Sequence, residues 1–221
     1  MVEAGPLKIA ILISGRGSNM TALAEACAAY NFPAEVAAVI SNRPGAQGLA
    51  TAADLGITTE IVDHTNFDSR ADFDAALSSA IESSGADLVC LAGFMRLLGA
   101  AFVDHWRDRL INIHPSLLPA FKGLDTHAQV LAAGARFSGC TVHFVRPAMD
   151  DGPIIVQAAL PIAPSDTETR LAARVLEQEH RIYPLAVRWI AEGRVKTENE
   201  IVTVAGATAT SNVTVNPESA P

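Results

Sequence analysis

The chain has 221 residues and a formal net charge of −8 at pH 7. That length suits a single domain whose core needs no disulfide or metal staple. The acidic balance argues against a nucleic-acid binder that relies on broad basic attraction. Cys27, Cys90 and Cys140 lie far apart among small or apolar neighbours. They read as reduced, buried thiols of a cytoplasmic protein. No CxxC or HExxH pairing points to a metal. No apolar run approaches the ~20 residues that span a bilayer. The N-terminus has no basic region ahead of an apolar one, so no signal peptide is expected.

In chain order, apolar runs at 7–13, 35–41, 58–62, 87–92 and 110–113 read as strands. Between them, 19–29, 48–55 and 69–83 read as helices, the last with Phe73, Leu77 and Ile81 recurring every four residues. Continuous apolar strands alternating with helices predict a doubly wound, mostly parallel sheet covered on both faces. The pattern changes after about residue 135. Segments 140–145 and 154–159 read as strands joined by a turn-prone 147–152, which predicts an antiparallel extension. Residues 167–192 predict one long helix burying Leu171, Val175, Leu176, Ile182, Leu185 and Ile190. The expected domain is 7–204, in halves of about 7–105 and 106–204. Residues 205–221, rich in Ala, Thr, Asn and Pro, read as a disordered tail.

Three segments carry chemistry. Residues 13–19 (ISGRGSN) join the first strand to the first helix. Their glycines allow a tight turn, and the N–H groups of Gly17, Ser18 and Asn19 would face an anion with a helix dipole behind them. The third glycine of a dinucleotide fingerprint and the GK[ST] ending of a P-loop are absent, so a tight turn without ligand remains an open reading. In 112–119 (NIHPSLLP), Asn112 and His114 share a strand face, and Pro115 ends the ladder. An amide and an imidazole side by side can hold a carbonyl oxygen and move a proton; they can equally be structural polar groups closing a strand. Asp150-Asp151-Gly152-Pro153 supplies a carboxylate on a turn. The loops after the first, fourth and fifth strands should share one edge of the sheet, where ligands bind in such folds. Asp68 or Ser69 would cap the third helix, which leaves Arg70 as a first-turn cation opposed to the dipole. His64, His105, His143 and His180 form no evident constellation, and His127 is a loop residue within reach of a substrate.

Taken together, ISGRGSN, FDSR (67–70), LAGFMRLL (91–98), NIHPSLLP, TVHFV (141–145), DDGPII (150–155) and QEHRIYPL (178–185) resemble the phosphoribosylglycinamide formyltransferases. These are folate-dependent enzymes of purine biosynthesis with a Rossmann-like formyltransferase fold. The resemblance covers about residues 7–200. It implies transfer of the formyl group of 10-formyltetrahydrofolate, a co-substrate, to the amine of glycinamide ribonucleotide, without a metal and as a monomer or homodimer. By the same resemblance, Asn112, His114 and Asp150 form the catalytic trio. Gly17, Ser18, Asn19 and Glu179 hold the ribonucleotide. The folate site takes Met95, Arg96, Leu97 and Leu98, Asn112, and Arg146, Pro147, Ala148, Met149 and Asp150; Arg70 and Arg96 would meet the glutamate tail. Asp151 stands where the family commonly has glycine and adds a charge beside Asp150. Asp125 replaces the His of some members. Three rivals are a formyltetrahydrofolate hydrolase, an initiator-tRNA formyltransferase and a noncatalytic nucleotide-binding domain. The first usually carries an extra N-terminal domain and the second an extra C-terminal one, for which this chain has little room. The intact trio argues against the third.

Overall fold

The computed structural model describes residues 5–210 and 214–217. From β1 (Leu7–Ile13) the chain passes through α1 (Ser18–Ala28), β2 (Ala34–Ser41) and α2 (Gln47–Asp54) to β3 (Thr59–Ile61) at one edge of the sheet. A 3-10 turn (His64–Asn66) and α3 (Arg70–Ser83) then return it to β4 (Leu88–Leu91), on the other side of β1. Next come α4 (Ala100–His105), β5 (Leu110–His114), α5 (Thr126–Ala132), β6 (Phe137–Phe144) and β7 (Ile154–Pro161). The long α6 (Glu168–Ala191) and a separate hairpin of β8 (Val195–Glu198) and β9 (Ile201–Val204) complete the chain.

The seven-stranded sheet has the order β3-β2-β1-β4-β5-β6-β7. Pairing is parallel as far as β5 and antiparallel for β6 and β7, as the change of pattern near 135 predicts. Strand alternation sorts the core into two layers. Ile9, Ile11 and Ile13 pack with Met20, Leu23, Leu171, Val175 and Val187 beneath α1 and α6. Ala10 and Leu12 face Phe73, Leu77 and Ile81 of α3, Phe102 of α4 and Trp106 just after it. Leu77 is fully buried, so Leu77→Ala would cost about 2–5 kcal/mol.

Ser69, not Asp68, caps α3: its hydroxyl oxygen accepts the N–H of Asp72 at 3.1 Å. In α6, Leu176, Leu185 and Ile190 are only half-buried, and Glu179 and Tyr183 lie in the buried stripe. The Tyr183 hydroxyl lies 3.0 Å from the Leu91 carbonyl and 3.3 Å from that of Ile111, which pins α6 to β4 and β5. The sequence reading missed α4, α5 and the β8–β9 hairpin. Part of the expected tail, 211–213 and 218–221, lies outside the described residues. Within the described part, Asn216 donates its amide to the carbonyls of Arg136 (2.5 Å) and Ile162 (3.0 Å).

Candidate active site

The direction of winding reverses between β1 and β4, and the loops that follow these strands meet there. The Ser14 hydroxyl accepts the Met95 N–H at 2.7 Å and donates to Asn42 Oδ1 at 2.5 Å, which ties together the ends of β1, β2 and β4. Gly17, at φ +79°, is the N-cap of α1 and supplies no side-chain bond. The first-turn N–H groups at Ser18 and Asn19 therefore lack intrahelical acceptors at the positive end of the dipole. A Cβ on Gly17 would sit 3.0 Å from the Gly48 Cα, and one on Gly48 would sit 2.7 Å from Ile13 Cδ1. Only bare backbone lets the starts of α1 and α2 approach this closely.

Glu179 reaches the same place from α6: its Oε2 accepts from Asn19 Nδ2 at 2.6 Å, across 160 positions of sequence. Glu179 is 7% exposed. Burial pushes its pKa up, against the pull of the Asn19 hydrogen bond. Asn19 Oδ1 is buried without a partner. The four residues expected at the ribonucleotide thus gather around one helix end, with a carboxylate and an amide already aligned.

The three residues expected to be catalytic also converge. His114 is 5% exposed and ends β5 beside Asn112. Its Nε2 donates to the Phe121 carbonyl at 3.0 Å, and its Nδ1 lies 3.6 Å from Asp150 Oδ1. The other Asp150 oxygen accepts the Gly123 N–H at 2.8 Å. Asp150 and Phe121 both hold positive φ, +50° and +54°. The carboxylate is thus set by a reciprocal fit between the 121–123 and 150–152 segments.

His143, which belongs to no evident constellation in the sequence, faces Asn112 directly across the β5–β6 ladder. Its Nδ1 lies 2.9 Å from the Phe144 carbonyl, and its Nε2 lies 3.3 Å from Asn112 Nδ2. The carbonyl can only accept, so Nδ1 carries the proton and Nε2 receives one from the Asn112 amide. Burial holds the His143 pKa below the usual imidazole range, which keeps the ring neutral and able to accept. This contact fixes the nitrogen end of Asn112 and leaves a second amide N–H for another acceptor. The signal for it was the antiparallel pairing, whose register sequence alone does not supply.

The two departures from the family pattern are accommodated locally. Asp151 is exposed and bonded to Lys122 at 2.5 Å, and the ammonium holds its carboxyl below the usual range. Its charge is met by Lys122. Asp125 caps α5 through backbone alone, at φ +55°.

The loops expected at the folate carry exposed apolar side chains: Met95 (59%), Leu97 (62%) and Met149 (54%), with Leu124 (72%) near by in sequence to Gly123. A methyl on Gly123 would stand 3.6 Å from Met149 Cε. Pro147, Ala148 and Arg96 are exposed and Leu98 is half-buried. Arg70 lines a cavity of about 670 Å³ between α3 and α4 that does not include the trio. Asp74, on the same wall, accepts the Gly99 N–H at 2.7 Å and lies in the fields of Arg70 and Arg96. Arg146 differs from the other expected folate residues: its guanidinium is committed to Asp108 and Glu200. Of the remaining histidines, His105 pairs with Glu82 at 2.8 Å and His64 with Asn42. His127 and His180 each keep one buried ring nitrogen without a partner.

Among the described residues, no group of three or more His, Cys, Asp or Glu is placed to hold a metal ion, and no helix is long and apolar enough to cross a membrane. The sequence profile of the formyl transferase family matches residues 7–187. The chain belongs to the formyl transferase family. It is 47% identical over 190 residues to the phosphoribosylglycinamide formyltransferase of Escherichia coli (strain K12), covering 86% of this chain and 90% of that protein. It is 45% identical over 195 residues to the trifunctional purine biosynthetic protein adenosine-3 of Gallus gallus, and there it spans only 19% of the relative's length. Among solved structures, glycinamide ribonucleotide transformylase 1 from Symbiobacterium toebii superposes with a TM-score of 0.88 at 46% identity, covering 90% of this chain and 94% of that one.

Proposed function

We propose that this formyl transferase moves the formyl group of 10-formyltetrahydrofolate onto the amine of glycinamide ribonucleotide, a step of purine biosynthesis. The observation that carries the reading is the convergence of Asn112, His114 and Asp150 at the sheet edge that also bears the Gly17–Asn19 anion site and Glu179. The phosphate rests on the start of α1, and Glu179 meets the ribose. Met95, Leu97, Leu98, Pro147, Ala148 and Met149 line the pterin side, and Arg70 and Arg96 receive the glutamate tail. The domain is 7–204.

The neutral amine attacks the formyl carbon directly, so no acyl-enzyme is needed. The carbonyl oxygen becomes an oxyanion, which accepts from the free Asn112 N–H and is further stabilised by the charge of His114 as imidazolium. Asp150 offsets the imidazolium charge and relays the proton that the amine loses. The carbon–nitrogen bond to folate then breaks, and the folate nitrogen takes up that proton. The folate leaves as tetrahydrofolate, a consumed co-substrate.

Asp150→Asn is expected to lose about 10²–10⁴ in kcat with little change in ribonucleotide binding. Equal kinetics for variant and wild type would sink the assignment. Turnover of 10-formyltetrahydrofolate that requires the ribonucleotide separates this activity from folate hydrolysis, which would proceed without it.

A further inference from the structure

Arg146 opens the segment that delivers Asp150, yet its head points away from the trio. Its side chain is 8% exposed. Nε donates to Glu200 Oε2 at 2.6 Å, Nη2 to Asp108 Oδ1 at 2.7 Å and Nη1 to its own neighbour's carbonyl, Val145, at 3.1 Å. Arg107 bonds the other oxygen of Glu200. One guanidinium thus joins three remote pieces of chain: the turn before β5, the base of the 145–153 loop and the tip of the β8–β9 hairpin.

The backbone around this cluster is under constraint. Among the described residues, Asp108 (φ +57°), Asn199 (+51°) and Glu200 (+60°) are three of the seven non-glycine residues held at positive φ, and Asp150 is a fourth. Side-chain-bearing residues stay in that region when their surroundings over-determine them. At the loop base, the Phe144 N–H donates to the Pro153 carbonyl at 2.9 Å, and the Val145 N–H to that of Leu110 at 2.9 Å. A Cβ on Gly152 would fall 1.6 Å from the Phe144 oxygen and 3.4 Å from Arg146 Cγ. The aliphatic stem of Arg146 therefore packs beneath the turn that holds Asp150, while its head is bolted to the hairpin.

We propose that Arg146 is a positioning residue for Asp150 and that the β8–β9 hairpin, through Glu200, is the brace that keeps the catalytic loop in register with His114. The inference rests on the role proposed above for Asp150. A planar head with donors on three nitrogens suits the task; a lysine ammonium keeps the charge but cannot reproduce that fork. The half-exposed carboxylates of Asp108 and Glu200 are the removable half of the clamp.

The test is steady-state kinetics on the full chain with 10-formyltetrahydrofolate and glycinamide ribonucleotide, alongside thermal melting. Glu200→Ala and Arg146→Lys are expected to lower kcat by about ten- to a hundredfold, as a loosened reacting geometry does. They should raise KM for the folate and leave KM for the ribonucleotide unchanged. Glu200→Gln, which keeps an acceptor for Nε, should recover part of the rate. In the Asp150→Asn background, Arg146→Lys should cost little further rate, because the brace acts through Asp150. Should Arg146→Lys fail to fold, the exposed Glu200 pair carries the same readout. A lower melting temperature with wild-type kcat and both KM values intact would overturn the proposal, as would an undiminished rate cost in the Asp150→Asn background. An Asp150→Asn enzyme at wild-type rate would sink the catalytic reading together with this inference; a slow Asp150→Asn beside a wild-type Glu200→Ala would overturn this inference alone.

Discussion

The two ends of the site are built by different means. The proposed anion end, at the start of α1, is mainly backbone: glycines at 17 and 48 in near contact, free N–H groups, and one buried carboxylate brought in by α6. The proposed formyl-transfer end, at the close of β5, is mainly side chain: a cross-strand Asn112–His143 pair and a His114–Asp150 pair, each held by a further layer of contacts. Backbone geometry is written locally, in a glycine and a helix start. Side-chain geometry depends on register and on loops that close over long distances. The first kind of site fails when its backbone is crowded, and the second when any distant support is loosened.

The contrast can be tested hardest at Asn112. Asn112→Ala removes the oxyanion donor and should lower kcat by about 10²–10³ while KM for the ribonucleotide holds. A matching rise in that KM would mean that the two ends are not separable. Glu179→Gln tests the other end. It should weaken ribonucleotide binding by about tenfold, the worth of one charge-assisted hydrogen bond. The same change should raise the melting temperature of the unliganded protein at pH 7. The Glu179 pKa is raised by burial, so its folding contribution is favourable at low pH and is lost as pH rises. Removing the charge relieves that loss, and an unchanged or lower melting temperature would contradict the sign.

A smaller effect concerns His143. Burial depresses its pKa from the ordinary value of 6.5, as it does for His127 and His180. Stability from such groups is complete above pH 6.5 and drains as pH falls towards their folded values, because the unfolded chain takes up the protons first. Melting curves below pH 6.5 should therefore slope downward with acid, and His143→Gln should flatten part of the slope. The least effect is expected from Asp151→Gly, which breaks only the exposed pair with Lys122. Its kcat and melting temperature should match wild type; a large change in rate would show that Asp151 acts on Asp150 after all.

The parallel half of the fold was readable because most of its strands are mainly apolar, the short exposed β3 being the exception, and the 13–19 motif announces its turn locally. The missed elements are short. Helices α4 and α5, of six and seven residues, span about two turns and are too brief to display a helical period. The β8–β9 hairpin turns on Asn199 and Glu200 at positive φ, without the glycine that usually flags such a turn, and ion pairs from Arg107 and Arg146 hold its tip. Asn112, His114 and Asp150 were visible through their motifs. His143 was not, because its role exists only in the register that sets it opposite Asn112, 31 residues away. The guanidinium of Arg146 was misplaced for the same reason, since its partners lie 38 and 54 positions off.

The contact between Asn19 and Glu179 also bears on what makes the protein competent. The 13–19 loop is built from elements close in sequence, β1, α1 and the neighbouring β2. The carboxylate proposed to face the ribose lies some 160 residues further on, in a helix whose buried stripe also fills the core beneath β1. On the proposed role of Glu179, full affinity for the ribonucleotide therefore requires α6, and a truncated product that lacks α6 would leave the core beneath β1 open.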